Sequence, residues 1–337
     1  MLRRPGFAAL VCGGLAVTAV LALLGTVCGA TPVPVGTALR ALASPVAPGL
    51  AEGLPPPLVR IVLDLRLPRV LLALCVGTGL GVVGALLQTT TRNDLADPFL
   101  FGLSSGAAAG AVSVEALFGA RLGPWTTPAA AFAGATVAAG VVLLLAARQR
   151  GQGAERLVIA GLAVSFLFGA VTAAIVFAGD QRAASAVLFW SFGGLGLASW
   201  NNLWLGAAGA ALALGTGLAL HRQLDALLAG EDTAASLGIS VEALRRLVFA
   251  MSALSTAAIV SLSGVVGFVG LMAPHLGRAM AGVRHRRLVL ASALVGAPLV
   301  LAGDLASRVV LAPQELPLGI FTAGAGGAAV LAMVLRR

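Results

Sequence analysis

The chain has 337 residues, of which 59% are hydrophobic and 10% charged, with a formal net charge of +9. Soluble domains carry about 25% charged residues, so the composition excludes a soluble enzyme and describes an integral membrane protein. The basic excess does not signal nucleic acid, because all 22 basic residues are Arg, mostly in short loops, Tyr is absent and aromatic residues reach only 5%, too few for a base-stacking surface.

A helix needs about 20 apolar residues to cross a bilayer, and long unbroken apolar runs, as opposed to alternating ones, exclude a β-barrel. The expected fold is all-α, with ten transmembrane helices in a single domain over residues 1–337. Arg3 and Arg4 precede an apolar run from Phe7 to Cys28, longer than the ~7–15 residues of a signal-peptide core, and it reads as the first span. Thr31 to Pro57 is rich in Pro and Gly and reads as an exterior loop. The second span begins at Pro68, which has no N–H to leave unpaired in a first turn, and runs to Gln88, with a polar turn from Thr89 to Asp97. Further spans follow at 98–117, 127–147, 156–178, 199–220 and 242–263, then a short apolar piece at 271–281, then 288–309 and 317–335.

With the N-terminus inside, fifteen Arg fall on the interior side and seven outside (Arg40, Arg60, Arg66, Arg69, Arg121, Arg182 and Arg308), as the positive-inside rule requires. That split holds only if the short piece at 271–281 counts as an element, so it reads as partly re-entrant.

The longest polar interruption, His221 to Arg246, carries Asp225, Glu231, Asp232 and Glu242. It reads as two short amphipathic helices. Leu224, Leu227 and Leu228 share a face of the first, Gly230 ends it, and Glu231 and Asp232 suit the first turn of the second, which ends at Gly238. Ser240 is placed to cap the next apolar helix. Such a segment is either a solvated connector or a docking surface.

Gly79 to Gly84 matches GxGxxG, but no strand precedes it. Close helix packing accounts for Gly77, Gly81 and Gly84, and for Gly102, Gly106 and Gly110 in the next span. Gly81-Val82-Val83-Gly84 recurs at Gly264 to Gly267, a short match in a chain rich in both residues. Asp304 lies in a predicted span with Arg308 at i+4, which reads as a helix-end pair, the alternative being an ion relay. Glu115 near a span end reads as snorkelling to water, and Arg66 and Arg69, by charge alone, as interfacial anchors. His275 follows Pro274 and reads as structural or gating. The scattered Cys12, Cys28 and Cys75 and His221, His275 and His285 form no disulfide or metal pattern. No GxxxxGK[ST] loop exists, and the chain has no Lys to complete one, so ATP-driven work would need a separate ATPase.

The stretch RLPRVLLALCVGTGLGVVGALLQTTTRNDLADPFLFGLSSGAAAG, from Arg66, resembles the FecCD family, as do GFVGLMAPHLGR, HRRLVLASALVGAPLVLAGDLASR and ELPLGI in the final third. These are permease subunits of importers for ferric siderophores, haem and cobalamin, and the resemblance runs from about Leu58 to the end. It implies a type II ABC importer permease, multi-pass in the bacterial cytoplasmic membrane with both termini cytoplasmic. The permease pairs with a second one (homo- or heterodimer), with two cytoplasmic ATPase subunits holding ATP and Mg, and with an extracytoplasmic substrate-binding protein. The chain itself would hold no cofactor, metal or catalytic residue.

By the same resemblance, Leu224, Leu227, Leu228, Gly230, Glu231, Asp232, Leu237 and Gly238 are coupling-helix residues facing the ATPase. Arg66, Arg69 and Arg308 match arginines that receive acidic residues of the binding protein, and Asn93, Leu95 and Ala96 match a turn near the cytoplasmic gate. Asp94 stands where the family usually has proline, which predicts a looser turn, and Gly326 to Val330 lacks the usual proline and aromatic residue. The alternative function is a stand-alone secondary transporter driven by an ion gradient through Asp304.

Overall fold

The computed structural model describes residues 6–118, 123–148, 154–178 and 190–335. Arg3, Arg4, Arg121, Arg150, Arg182, Arg336 and Arg337 of the topological count lie outside the described residues. Among the described residues every regular element is helical: α1 (Phe7–Val27), α2 (Val35–Ala43), α3 (Pro56–Arg60), α4 (Leu67–Thr91), α5 (Leu103–Phe118), α6 (Thr126–Arg148), α7 (Glu155–Ala178), α8 (Leu203–Ala219), α9 (His221–Leu228), α10 (Glu231–Ser236), α11 (Val241–Ser263), α12 (Val269–Ala281), α13 (His285–Val309) and α14 (Leu318–Leu335).

Six of these are long and apolar enough to cross a membrane: α1, the continuous Pro56–Thr91 unit, α6, α7, α11 and α13. Helix α8 runs into α9 with a 62° bend, and counted as one span the pair makes a seventh; α5 and the Leu318–Ala329 part of α14 are shorter apolar helices. With the 13-residue α12, each of the ten apolar segments read from the sequence is a helix.

Helix α4 is the axis of the molecule, flanked by α8, α11, α12 and α13. A helix apolar on all sides belongs in an interior, and from Gly79 to Thr91 every residue of α4 is buried. Its glycines let neighbouring backbones into contact. A Cβ on Gly77 would lie 2.2 Å from the Gly296 carbonyl oxygen, one on Gly81 2.6 Å from that of Ser292, and one on Gly84 1.8 Å from that of Gly270. On α5, the same test puts Gly106 2.6 Å from the Gly134 carbonyl and Gly110 2.1 Å from that of Ala130, while Gly102 has a φ of +77°. Lipid offers no hydrophobic drive for helix association, so contact of this closeness holds such helices together.

The second span departs from expectation at its start. The helix begins at Pro56, well before Pro68, and Ile61–Arg66 forms a π-helical turn in which the Leu67 N–H bonds the Val62 carbonyl. Pro68 is the cause. Its ring crowds the carbonyl one turn back and it has no N–H to offer, and a wider turn relieves the crowding. The Leu63 carbonyl is then left with neither Leu67 nor Pro68 as donor, and the Trp200 Nε1–H donates to it at 2.9 Å. The Pro- and Gly-rich stretch before it is also not a plain loop: α2 buries Ala38 and Ala41 against Val33 and Val62.

The absence of an aromatic residue in 326–330 has a local compensation. Phe268, in the left-handed region at φ 67°, packs on Gly326, whose added Cβ would fall 2.3 Å from the Phe268 ring.

Candidate functional site

The functional groups gather at the two ends of α4. Arg69 and Thr91 are separated by about 33 Å at 1.5 Å per residue, close to the ~30 Å thickness of a hydrocarbon core.

At the Leu67 end, the last turn of α1 leaves carbonyls without helical partners, and two arginines take them. Arg66 Nη1 donates to Thr26 O at 3.0 Å and Val27 O at 2.7 Å, and its Nη2 donates to Thr31 O. Arg308 Nη1 donates to Gly25 O at 2.9 Å and Cys28 O at 3.1 Å. Positive charge at a helix C-terminus also complements its dipole.

Asp304, 1% exposed, sits between two guanidinium groups. Arg69 Nε donates to its Oδ1 at 2.8 Å, and Arg308 Nη2 stands 2.9 Å from Oδ2, close enough for an ion pair but off the hydrogen-bond axis. The i+4 pairing with Arg308 is present as read, while Arg69, 235 residues away in sequence, is a second partner that spacing did not reveal. Arg69 also grips Glu315 with Nη1 at 2.8 Å.

All three candidate docking arginines therefore stand at one end, and all three already have internal partners. Arg66 and Arg308 are buried, and Arg69 bridges Asp304 to Glu315, whose side chain is 47% exposed. Beside them opens a cavity of about 720 Å³, lined among others by Arg69, Glu115, Trp190, Gly264, Glu315 and Pro317. Glu115, read as snorkelling outward, faces this cavity and accepts a long 3.4 Å hydrogen bond from Thr127 Oγ1.

At the Thr91 end, the polar segment folds as α9 and α10, broken by Gly230 at φ 131° and closed by Gly238 at φ 79°, conformations that favour glycine. Its leucines divide. Leu224 and Leu227 are buried in the core with Leu86, Leu87, Val248, Phe249 and Val289, whereas Leu228 and Leu237 are exposed. Ser240 stands at the N-cap of α11, but its side chain makes no capping bond; the acid of that first turn is Glu242.

The acids divide in the same way. Asp225 Oδ1 accepts from the His285 backbone N–H at 2.8 Å and lies 2.7 Å from His285 Nδ1. Glu231 pairs with Arg245 at 2.5 Å, and Arg245 Nε donates to Thr90 O at 3.1 Å. Asp232 makes no ion pair among the described residues.

The turn after α4 is built by Arg92 in the left-handed region at φ 50° and by Asn93, whose Oδ1 accepts from the Leu95 N–H at 2.9 Å. Ala96 is buried and Leu95 exposed. Asp94, where the family usually has proline, is exposed and pairs with Arg278 at 3.2 Å, and Arg278 in turn donates to Gln88 Oε1, which links the turn to α12. Asp97 accepts from the Phe99 N–H at 3.0 Å, while its Oδ2 is buried and unpartnered among the described residues. Burial pushes the Asp97 carboxyl up to about 6, against the weaker opposing pull of its Phe99 hydrogen bond.

Known proteins resemble the chain over most of its length. The chain is 38% identical over 282 residues to the hemin transport system permease protein HmuU of Yersinia pestis, covering 82% of this chain and 83% of that one. It is 38% identical over 283 residues to the cobalamin import system permease protein BtuC of Halobacterium salinarum, covering 84% and 75%. Among solved structures, an ABC transporter described as metal-chelate type, in an inward-facing conformation, superposes with a TM-score of 0.85 at 26% identity, over 98% of this chain and 100% of that one. Residues 15–337 match the FecCD transport family, and with a match of that extent the chain belongs to this family of transporter permeases.

Proposed function

We propose that the chain is the permease subunit of a binding-protein-dependent ABC importer, pairing with a second permease and carrying an iron chelate, with haem or cobalamin as the neighbouring substrate classes. ATP and Mg sit on two separate ATPase subunits, which dock against α9 and α10. The observation that carries this reading is the near full-length family match. The division of α9 and α10 supports it: Leu224 and Leu227 bind the loop to its own chain, while Leu228 and Leu237 offer apolar side chains outward. The arginine bias supports a cytoplasmic position for this face and, with it, a cytoplasmic-membrane protein with both termini inside.

On the opposite side, Arg69 receives a carboxylate of the substrate-binding protein in place of Glu315. Arg66 and Arg308 hold the end of α1 and the Asp304 carboxylate, and so shape that mouth. Loaded binding protein at one end and nucleotide at the other shift the dimer between outward- and inward-open states.

The secondary-transport reading loses its coupling residue. Asp304 is enclosed and bound by two cations, so taking up a proton or ion there would require breaking a buried pair.

The test is reconstitution. Chain, ATPase and binding protein are purified together and placed in liposomes with a ferric siderophore outside. ATP-dependent uptake that requires all three is the expected result. Uptake by the chain alone under a proton or sodium gradient would overturn the proposal.

A further inference from the structure

The two short helices of the polar segment are joined to the end of α4 by two separate polar links that arrive at adjacent residues. One runs from α9 through Asp225 and His285 to Thr89, whose Oγ1 lies 2.7 Å from His285 Nε2. The other runs from α10 through Glu231 and Arg245 to the carbonyl of Thr90. The Arg92–Asp97 turn begins one residue beyond them, after Thr91.

Each link takes a helix-end backbone group that the residues flanking that helix do not bond. At the start of α13, Arg284 is the N-cap residue and makes no capping bond, so the first N–H is taken by Asp225 from another element. Negative charge there complements the helix dipole. At the end of α4, Arg92 N–H returns to Thr89 O and Asn93 N–H to Gln88 O, and Arg245, with the complementary positive charge, takes Thr90 O. Arg245 and His285 are both buried, while Glu231 and Asp225 are 37% and 36% exposed, so each link runs from a partly wetted carboxylate to a shielded donor.

The His285 link does not depend on protonation state. A carboxylate only accepts, so Nδ1 carries a proton toward Asp225. Thr89 Oγ1 also lies 3.0 Å from Ala85 O. If Nε2 is protonated as well, Thr89 donates to Ala85 and accepts from His285; if not, Thr89 turns its hydroxyl and donates to Nε2. Both states keep the chain of bonds intact.

We propose that Asp225–His285–Thr89 and Glu231–Arg245–Thr90 are paired struts that convert displacement of the α9–α10 segment into displacement of the Arg92–Asp97 turn. All six are positioning residues, since their role is to transmit motion from one element to another. The proposal rests on reading α9 and α10 as the ATPase-facing surface, but the struts themselves can be tested without an ATPase.

The chain is freed of Cys12, Cys28 and Cys75, given a single cysteine at exposed Leu95, labelled with an environment-sensitive fluorophore and placed in nanodiscs. Asp225→Ala and Glu231→Gln should each shift the emission at position 95. Asp232→Ala, in the same loop but outside both struts, should not. Thr89→Val keeps packing volume and removes only the hydroxyl; in that background Asp225→Ala should lose its effect, a non-additivity that general loosening of the fold does not produce. Unchanged emission in both strut variants, or additive shifts from Thr89→Val and Asp225→Ala, would overturn the proposal. In the assembled transporter, Thr89→Val should raise the ATP hydrolysed per substrate moved while the ATPase stays bound. Loss of ATPase binding by the unmodified chain would instead count against the functional reading and leave the fluorophore result standing.

Discussion

The two ends of α4 use the same materials in opposite ways. At the Leu67 end, charge is the contact most open to exchange: Arg69 is shared between buried Asp304 and exposed Glu315, and a second carboxylate can take the place of Glu315. At the Thr91 end, Asp225, Glu231 and Asp94 are paired to His285, Arg245 and Arg278, and the segment presents Leu228 and Leu237 outward among exposed charges such as Asp232 and Arg246. One end suits a partner that brings acid groups, the other a partner that brings an apolar groove. Between them α4 is held tightly enough to act as a rod.

The largest effect that would separate the ends is Asp304→Ala. It leaves buried Arg308 without its counter-charge and Arg69 with Glu315 alone, and breaking a buried pair costs about 3–5 kcal/mol. Denaturation of the detergent-solubilised protein should show that loss. Normal stability with transport abolished would favour an ion relay. The next test is the rod itself. Gly84→Ala places a Cβ 1.8 Å from a backbone oxygen, and overpacking of this kind costs about 1–3 kcal/mol, read as a lowered Tm with both ends affected together.

A third prediction concerns pH. The Asp97 carboxyl is raised from 3.8 to about 6, so between those values the folded protein holds a proton that the unfolded chain has released. Stability should fall as pH rises through that window. Asp97→Asn should flatten the slope in a melt series, and an unchanged slope would show that another group is responsible. The smallest stability effect is expected for Glu315→Gln, since partly exposed pairs contribute at most about 1 kcal/mol. Its visible result should be tighter docking of the binding protein, measured by surface capture, because Arg69 is released. Weaker docking would reverse the role given to Glu315.

Much of this was legible before the structure. Apolar run lengths located the helices, Gly230 and Gly238 the breaks in the polar segment, and the absence of a strand kept Gly79 to Gly84 from being read as a nucleotide loop. The face of α9 was not legible. Periodicity groups Leu224, Leu227 and Leu228 on one stripe, but the boundary between packing inward and facing outward runs through that stripe, and only the position of α13 and α11 decides it. The Arg69–Asp304 pair was hidden for a related reason. Each residue was placed near the same surface by topology, yet nothing in spacing says which helices touch. Asp94 was read through its departure from a family habit, and its partner Arg278 lies on a helix far along the chain.

The π-helical turn at Ile61–Arg66 has one more consequence. An α-helix advances about 100° per residue, so a turn that holds one residue more than usual resets the rotational phase of everything before it. Val62 is thereby aimed at α2, and the carbonyl left over at Leu63 becomes the attachment point for Trp200. Removing a single residue from this turn would leave α4 untouched along its length, yet it would swing the preceding helix away from α2 and take Trp200 off its anchor. The anchor of Trp200 is thus kept in register by a counting offset inside the chain, and a one-residue change in length there would matter more than most substitutions.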